Sequence, residues 1–390
     1  MTEPLDLDFI AQEPLPPEAV ERVEQLLQSG KLFRYGEVGG DQADAVLLES
    51  EFADLIGLRY CVAFNSCGAS LAAALIAAGV HRDEPVMMNA FTLAPVPGAI
   101  AHAGATPVFV DITKNYHVDL DDLRRQHERS GSKWLLLSYM RGHIPNLDDV
   151  FATCAELGVT VIEDCAHTMG ATWDGRPTGT FGLAGCFSTQ TFKHANSGEG
   201  GLLVTNDEDV AAKAILLSGS YMLYEQHGAR PSAEVFERHR LTTPNLSMRM
   251  SALAAALVRP QLPMLADRTV VWNARYDQLA ERLRQIEQVR IPDRDPREGY
   301  VASSIQFNVD SPDLTGFVKR AVDAGVQLKW FGATDPIGFT SRSDHWRYVS
   351  EQSVPRAAEV LATLMDMRIP LSMTTAQADQ IADVIAASIR

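Results

Sequence analysis

The fold is decided by two stretches of sequence, Val161-Ile-Glu-Asp-Cys-Ala-His167 and Cys186-Phe-Ser-Thr-Gln-Thr-Phe-Lys-His-Ala-Asn-Ser-Gly-Glu-Gly-Gly201. The first is an apolar run that ends in two carboxylates, which is typical of a strand buried on both faces of a parallel sheet. The second brings one lysine to a glycine-rich turn. Ligands of open α/β sheets bind at the carboxyl ends of the strands, so these stretches indicate where a ligand would sit.

Other short apolar runs, bounded by Gly, Pro or charged residues, predict further strands of the same sheet. They lie at Val86–Met88, Pro107–Asp111, Trp134–Ser138, Val159–Asp164 and Gly201–Thr205. Helix patterns at Ser70–Gly79 and Asp148–Leu157 alternate with them. Strands that alternate with helices predict an α/β fold with a mostly parallel sheet and right-handed crossovers.

The pattern changes after Gln261. A long helix is predicted from Pro263 to Val289, followed by a strand at Ser303–Val309, a helix at Asp313–Ala324 and a closing helix from Thr375. This pattern is typical of a smaller α+β domain. We therefore predict a large α/β domain over residues 1–262 and a small C-terminal domain over residues 263–390.

Composition excludes several classes of function. The 390 residues carry a net charge of −16, which disfavours binding to nucleic acid or to an anionic membrane surface. Asp6 and Asp8 stand where a secretory signal would be basic, and we find no run of about 18 apolar residues that could span a membrane. The sequence predicts a cytoplasmic protein.

The five cysteines have no pairing or metal-binding pattern. They are odd in number and lack the C-x-x-C spacing, which argues against a disulfide framework and against a zinc site, so we expect no metal. Most lie in apolar strings, as Cys61 does between Arg59 and Phe64. We expect buried thiols in a reducing compartment.

Asp164 and His167 follow the strand that ends the first stretch. A carboxylate at this point could keep a pyridine nitrogen protonated, or it could cap the next helix. His167 could flank the same ring or be a hydrogen-bonded core histidine. Sequence reasoning alone leaves these alternatives open.

Lys193 is the strongest candidate for a reactive group. Apolar and hydroxylic neighbours would lower its pKa and make its amine a nucleophile that forms imines, although most lysines lie on the surface. Ser188, five residues earlier, offers a hydroxyl to a phosphate, and Gly198, Gly200 and Gly201 allow close approach of the backbone.

The sequence resembles the DegT/DnrJ/EryC1/StrS family of sugar and aminocyclitol aminotransferases in the segment Glu163-Asp-Cys-Ala-His-Thr-Met-Gly-Ala171 and in the spacing from it to Ser188 and Lys193. The resemblance implies a fold type I enzyme that uses pyridoxal 5′-phosphate (PLP). Lys193 would form the covalent imine with the cofactor and Asp164 would meet the ring nitrogen. Within this family, some members that we associate with histidine at this position are dehydratases, so a lysine favours transamination.

The resemblance assigns further cofactor contacts. Asn65-Ser-Cys-Gly-Ala-Ser-Leu71 is similar to the turn that holds the phosphate, where the backbone N–H groups of Gly68 and Ala69 would serve, beside Ser188. Cys67 and Gly68 replace the Gly and Thr of the family, and an ordinary helix cap is the alternative. Asn89-Ala-Phe-Thr-Leu-Ala94 is similar to the segment whose aromatic residue stacks on the ring, which implies that Phe91 stacks there.

Three further segments resemble the family: Asn245-Leu-Ser-Met-Arg-Met-Ser251, Val354–Glu359 and Arg368–Leu371. Together with the motifs above, the resemblance covers nearly the full length of the chain. It implies a homodimer with shared active sites, in which Asn245 or Ser247 reaches the cofactor phosphate of the neighbouring subunit. The implied partners are a small-molecule amino donor, glutamate or glutamine, and a ketone acceptor, a keto-sugar or keto-cyclitol in amino-sugar or antibiotic biosynthesis.

Two segments depart from the family pattern near the expected substrate. Lys31-Leu-Phe-Arg-Tyr-Gly36 and Ser138-Tyr-Met-Arg-Gly-His143 place Arg34, Tyr35 and Arg141 there, and His194 follows the lysine. An arginine could pair with a carboxylate or phosphate of the substrate, or could bridge subunits. The alternatives to a sugar aminotransferase are therefore an enzyme for a carboxylate-bearing acceptor and a PLP-binding regulator without turnover.

Overall fold

The computed structural model describes residues 5–389; residues 1–4 and 390, which the two predicted domains include, lie outside it. Thirteen α-helices occur in the described part. They are α1 Pro17–Ser29, α2 Asp44–Ile56, α3 Cys67–Ala78, α4 Pro95–His102, α5 Leu120–Ser130, α6 Leu147–Leu157, α7 Glu208–Ser218, α8 Ala233–His239, α9 Ala252–Val258, α10 Leu265–Leu283, α11 Leu314–Asp323, α12 Pro355–Ala362 and α13 Thr375–Ser388. None of these helices is both long and apolar enough to cross a membrane.

Fourteen strands occur in the same part of the chain, five of them only two residues long. They are β1 Tyr60–Phe64, β2 Pro85–Asn89, β3 Thr106–Val110, β4 Trp134–Ser138, β5 Thr160–Asp164, β6 Thr172–Trp173, β7 Arg176–Pro177, β8 Ala184–Ser188, β9 Gly201–Thr205, β10 Val289–Arg290, β11 Glu298–Gly299, β12 Ser304–Val309, β13 Lys329–Trp330 and β14 Leu364–Arg368. The five predicted strands of the first sheet are β2, β3, β4, β5 and β9, and their bounds agree to within one residue.

The central sheet has seven strands in the order β1-β9-β8-β5-β4-β2-β3. Neighbours from β3 to β8 are parallel, whereas β9 is antiparallel to both β8 and β1. The predicted mostly parallel α/β sheet is therefore confirmed. Because β1, β2, β4, β5 and β8 point the same way, their carboxyl ends meet at one edge.

Both faces of this sheet are buried, and each strand alternates between two apolar clusters. Leu135, Leu137 and Val161 belong to one cluster, and Leu136 and Ile162 belong to the other. Side chains of a strand point alternately to its two faces, so apolar residues are needed at every position. Polar groups are thereby confined to the strand ends.

The second sheet is antiparallel, in the order β10-β12-β14-β13. The predicted strand at Ser303–Val309 is β12, and the predicted helix at Asp313–Ala324 is α11. The division at residue 262 stays a prediction. The N-terminal segment crosses that boundary, because the Leu5 amide donates to the Ala324 carbonyl at 3.0 Å and Gln377 donates to the Asp6 carbonyl at 2.8 Å.

The long helix predicted from Pro263 to Val289 is wrong at both ends. A 3₁₀ helix at Arg259–Met264, which contains two prolines, precedes α10, and α10 itself ends at Leu283. Proline lacks the N–H that a helix interior requires, so regular α-helix begins only after Pro263. At the other end Val289 pairs with Val309 in the second sheet.

Gly201 allows the start of β9 to approach the loop before α3. A β-carbon at position 201 would lie 2.4 Å from the carbonyl carbon and oxygen of Ser66. We expect Gly201→Ala to reduce the free energy of unfolding by about 1–3 kcal/mol, as overpacking generally does. Urea unfolding followed by circular dichroism measures the change.

Gly98→Ala in α4 is the matched control, because the nearest atom to its added β-carbon is the Tyr348 hydroxyl at 4.0 Å. Alanine is the better helix former, so this variant should gain about 0.5–1 kcal/mol. Equal losses in the two variants would contradict the explanation by close backbone approach.

Candidate active site

The ends of the parallel strands surround a pocket between the central sheet and the second sheet. Strand register sets Ser138 opposite Asp164, Asp164 opposite Cys186, and Ser188 opposite Gly201. The pocket is lined by Ser66, Gly68, Leu93, Asp164, Ser188 and Lys193, among others. The predicted acid, serine and lysine therefore share one pocket.

Asp164 is held by hydrogen bonds at both carboxylate oxygens. The Ser138 hydroxyl donates to Oδ2 at 2.7 Å, and the Ala166 amide donates to Oδ1 at 3.1 Å. Asn89 fixes Ser138 in turn by accepting its amide at 2.9 Å. Burial raises the pKa of Asp164 above its ordinary value, although the Ser138 hydrogen bond and Lys193 act in the opposite direction. A cation next to this carboxylate would favour its ionised form.

Lys193 lies on the loop between β8 and β9. Its amide donates to the Gln190 carbonyl at 2.8 Å, and its Nζ lies 2.7 Å from His167 Nε2. Burial, reinforced by the nearby positive charge of Arg141, lowers the pKa of Lys193 to about 7, while Asp164 opposes the shift. A substantial fraction of these amines is therefore neutral and nucleophilic at neutral pH.

His167 is the neighbour of the lysine amine. Burial lowers its pKa well below the ordinary value, and the charge of Lys193 lowers it further. A neutral imidazole has one nitrogen that donates and one that accepts, so His167 can exchange a hydrogen bond with the amine without adding charge. The expectation that His167 lies at the site agrees with this geometry.

The loop before α3 has the form of an anion site, with one change from expectation. Gly68 lines the pocket in the first turn of the helix, where free N–H groups favour anions. The Ala69 amide instead donates to the Ser66 hydroxyl at 3.1 Å, which makes Ser66 the helix cap. Ser188 lines the same pocket. Gly68 and Ser188 are thus placed for a phosphate, and the Ala69 amide is already used.

The structure places Phe91 away from the pocket. Its ring is 1% exposed and packs edge-on against Phe331 and Tyr116, with ring centroids 5.2 and 5.9 Å away. Leu93, two residues later, lines the pocket instead. The Phe91 side chain belongs to an apolar core cluster, so of these two residues it is Leu93 that reaches the pocket.

Arg141 lines the pocket and is fixed by an ion pair. Its Nη2 lies 2.7 Å from Oδ2 of Asp366, which is completely buried. Arg368, at the end of β14, lines the same pocket. Sequence reasoning noted the segment that begins with Arg368 but assigned this residue no role. The signal that could have identified it is a charged residue directly before the Ile-Pro-Leu segment.

Arg34 and Tyr35 lie elsewhere, in a buried polar cluster. Arg34 Nη2 is 2.8 Å from Glu49 Oε1, and the Tyr35 hydroxyl is 2.8 Å from His227 Nε2. Although burial alone would raise it, Arg34 and His227 lower the pKa of Glu49 to about 2. Because the Arg34 charge is already neutralised inside the protein, we propose a structural role for it and not substrate binding.

His194 lines a smaller cavity that Lys193 also lines. Its Nε2 lies 3.2 Å from the Ser303 hydroxyl, and its ring packs edge-on against Trp272. Burial lowers its pKa to about 3, with a further contribution from Lys193. This neutral histidine lines a separate, smaller cavity, so the structure does not bring it together with Asp164.

Asn245 and Ser247 lie on the surface of the chain. Asn245 Oδ1 accepts from the Ser247 amide at 3.0 Å and from its hydroxyl at 3.2 Å, and Ser247 has a positive φ of 55°. Neither residue lines the pocket of its own chain. Their predicted contact with the cofactor of a neighbouring subunit stays a prediction.

The pocket combines an amine, a carboxylate and a helix N-terminus. Independently, residues 15–386 match the sequence model of a known family. The chain belongs to the DegT/DnrJ/EryC1/StrS aminotransferase family. Its sequence is 32% identical over 251 residues to the spore coat polysaccharide biosynthesis protein SpsC of Bacillus subtilis (64% of this chain, 62% of SpsC). It is 31% identical over 273 residues to L-glutamine:scyllo-inosose aminotransferase of Streptomyces griseus (69% of this chain, 63% of the relative). The chain thus spans about three fifths of the length of these family relatives.

Solved structures share the fold. The crystal structure of 3-amino-5-hydroxybenzoic acid synthase superposes with a TM-score of 0.84 at 22% identity and covers 99% of both chains. That of the aminotransferase TlmJ from Streptoalloteichus hindustanus gives 0.82 at 20% identity, over 97% of this chain and 98% of TlmJ. The predicted fold type I architecture is confirmed.

The lowered pKa of Lys193 predicts an unusual reactivity toward amine reagents. In cofactor-free protein we expect its modification by an acylating reagent to rise through a midpoint near pH 7 and to level off above it, because only the neutral amine reacts. Peptide mass spectrometry over a pH series measures this, with the exposed Lys319 as internal reference. A Lys193 profile that follows that of Lys319 would show that the pocket does not tune the amine.

Proposed function

We propose that the protein is a PLP-dependent aminotransferase that moves an amino group from glutamate or glutamine to a ketone of the sugar or cyclitol class. The observation that carries this proposal is the Lys193 amine, with a pKa of about 7, in one pocket with the Asp164 carboxylate and the first turn of α3. Membership of the family and the names of its relatives support the reaction class.

The residues of the pocket fit the cofactor. Asp164, with both oxygens hydrogen-bonded and its pKa raised by burial, would hold the protonated pyridine nitrogen. Gly68 and Ser188 would hold the phosphate, and Leu93 would pack against a face of the ring in place of an aromatic side chain. When bound, PLP supplies an electron sink for the negative charge that develops on the substrate carbon.

Lys193 would move the proton of the reaction. An amine with a pKa near 7 could take the proton from the substrate carbon and deliver it to the C4′ carbon of the cofactor at neutral pH, with little cost in either direction. His167, 2.7 Å from Nζ and neutral, would orient the amine without raising its charge. Asp164 would remain ionised opposite the ring nitrogen throughout.

A regulator that binds the cofactor without turnover would need neither a tuned amine nor an oriented acid. Perturbed pKa values in a pocket are typical of groups that take part in chemistry. Both Lys193 and Asp164 have such values. We therefore favour the enzyme.

All five cysteines are free and buried, which supports a reducing, cytoplasmic location.

Lys193→Ala should abolish amino transfer, with a loss of at least about 100-fold, because general acid–base groups contribute that much or more. Asp164→Asn should also slow the reaction strongly, since a neutral amide cannot balance a charged ring nitrogen. Glutamate-dependent loss of the visible absorption of the bound cofactor, followed by chromatography of the aminated product, measures both.

Lys319→Ala is the matched control, because its exposed amine pairs with Asp323 at the surface. It should transfer amino groups as the wild type does. Amino transfer by Lys193→Ala at the wild-type rate would refute the role proposed for this lysine.

We further propose a homodimer in which each pocket is completed by the partner. Phe33, Tyr221 and Met222 are half-exposed or more, and Arg249 lies over the rings of Phe33 and Tyr221. An exposed apolar patch of this kind is typical of an interface. Ser247 lies on the same segment as Arg249, so its loop would approach the partner together with the patch.

Mixing two inactive variants tests the shared site. Lys193→Ala and the double variant Asn245→Ala with Ser247→Gly should each be impaired, and glycine keeps the positive φ of residue 247. Random reassortment makes half of the dimers mixed, each with one complete site, so activity should return to about a quarter of wild type. No recovery in mixtures that mass spectrometry shows to contain mixed dimers would contradict site sharing.

A further inference from the structure

We propose that Arg141 and Arg368 form a carboxylate-binding subsite beside Lys193, and that the ketone acceptor therefore carries a carboxylate group. This inference rests on the proposed amino-transfer function and narrows its substrate class. Both arginines line the pocket that contains Asp164 and Lys193. Neither is needed for the cofactor contacts described above.

Arg141 is held rigidly in the pocket wall. It lies in the 3₁₀ turn Met140–Gly142 with a positive φ of 55°, a conformation that is strained for a long side chain. Asp366 accepts from its Nη2 at 2.7 Å and from Gln306 Nε2 at 2.8 Å, so both carboxylate oxygens are used. Backbone strain maintained by a buried ion pair is typical of functional sites.

Arg368 has few partners of its own. Its guanidinium carbon lies 4.0 Å from the centre of the Phe192 ring, and Nη1 donates a long hydrogen bond of 3.4 Å to the Phe192 carbonyl. Within residues 5–389 the Nε atoms of Arg368 and Arg141 are both buried without a hydrogen-bond partner. Buried donors of this kind are costly unless a ligand satisfies them.

The charges around the two arginines do not balance. Asp366 is the buried carboxylate that acts on both, whereas Asp164 in the same pocket acts on Lys193, and burial together with Arg141 lowers the pKa of Arg368 to about 10. Lys329, across the sheet from Asp366, adds a third cation nearby. Glu199 also lines the pocket, but its side chain is exposed. A bound anion would relieve this excess of positive charge.

A planar carboxylate suits two adjacent guanidinium groups, because these donate in fixed, parallel directions. Donor and acceptor occupy the same pocket in turn, since both must bring their reacting carbon to Lys193. Glutamate and glutamine carry a carboxylate. A neutral acceptor would leave the two guanidinium groups desolvated and unpaired in the second half of the reaction, whereas a carboxylate-bearing ketone matches them in both halves.

A matched pair of probes tests the subsite by binding alone. We would measure the affinity of the holoenzyme for 3-oxocyclohexanecarboxylate and for its primary amide by calorimetry. The carboxylate should bind more tightly than the amide, and Arg368→Gln should weaken the carboxylate about 10- to 100-fold while leaving the amide unchanged. Arg238→Gln, which removes an exposed arginine paired with Glu208 and Asp209, is the control for loss of charge.

Arg141 requires a paired substitution, because Arg141→Gln alone would leave Asp366 buried and unpaired and could prevent folding. In the double variant Arg141→Gln with Asp366→Asn both charges are removed together. This variant should show the same selective loss of carboxylate affinity. Binding of the carboxylate probe as in the wild type by both Arg368→Gln and the double variant would overturn the subsite.

Measuring the two half-reactions separately shows whether the subsite binds the carboxylate of the ketone acceptor or only that of the amino donor. Arg368→Gln should slow amination of the keto acid by the aminated holoenzyme and not that of the keto amide. A defect confined to the glutamate half-reaction would overturn the acceptor assignment. Failure of wild-type protein to react with any amino donor would overturn the proposed function instead, and the binding measurement would still decide the subsite.

Discussion

Burial of the central sheet on both faces is the constraint on which the rest of the structure depends. Each strand alternates between two apolar clusters, so polar side chains lie toward the strand ends, as Glu163 and Asp164 do in β5. Charged groups can occur only where the strands end and the chain leaves the sheet. Because β1, β2, β4, β5 and β8 are parallel to one another, those ends lie at one edge and the chemistry is concentrated there.

Desolvation at this edge acts in opposite directions on the two groups that matter most. It raises the pKa of Asp164 and lowers that of Lys193, so both are moved toward neutral pH. Each is also the other's counter-charge, and hydrogen bonds from Ser138 and Ala166 keep the carboxylate in place. Desolvation thus supplies the neutral, nucleophilic amine, whereas the hydrogen bonds and the neighbouring cation favour the ionised carboxylate against it.

The sequence predicted much of this edge, because position in a strand is a local property. The run before Asp164 identifies a strand end, Ser188 was found from its spacing to Lys193, and Gly68 came from the resemblance to the family, whereas the strand β8 that precedes Lys193 was not predicted. The prediction that Phe91 stacks on the cofactor ring does not agree with the structure, in which Phe91 lies in the core. Once the chain leaves β2, alternation no longer applies, and the sequence does not show whether residue 91 or residue 93 faces the pocket.

The arginines mark the limit of such reasoning, because the role of a charge depends on partners far away in sequence. Arg34 is neutralised by Glu49 and contacts His227, 193 residues later, whereas Arg141 and Arg368 converge on Asp366 in the second sheet. An arginine whose charge is satisfied inside the protein holds the fold together. An arginine that has unsatisfied hydrogen-bond donors beside a reactive lysine is available to a substrate. Only the partners seen in the three-dimensional structure distinguish the two kinds of arginine.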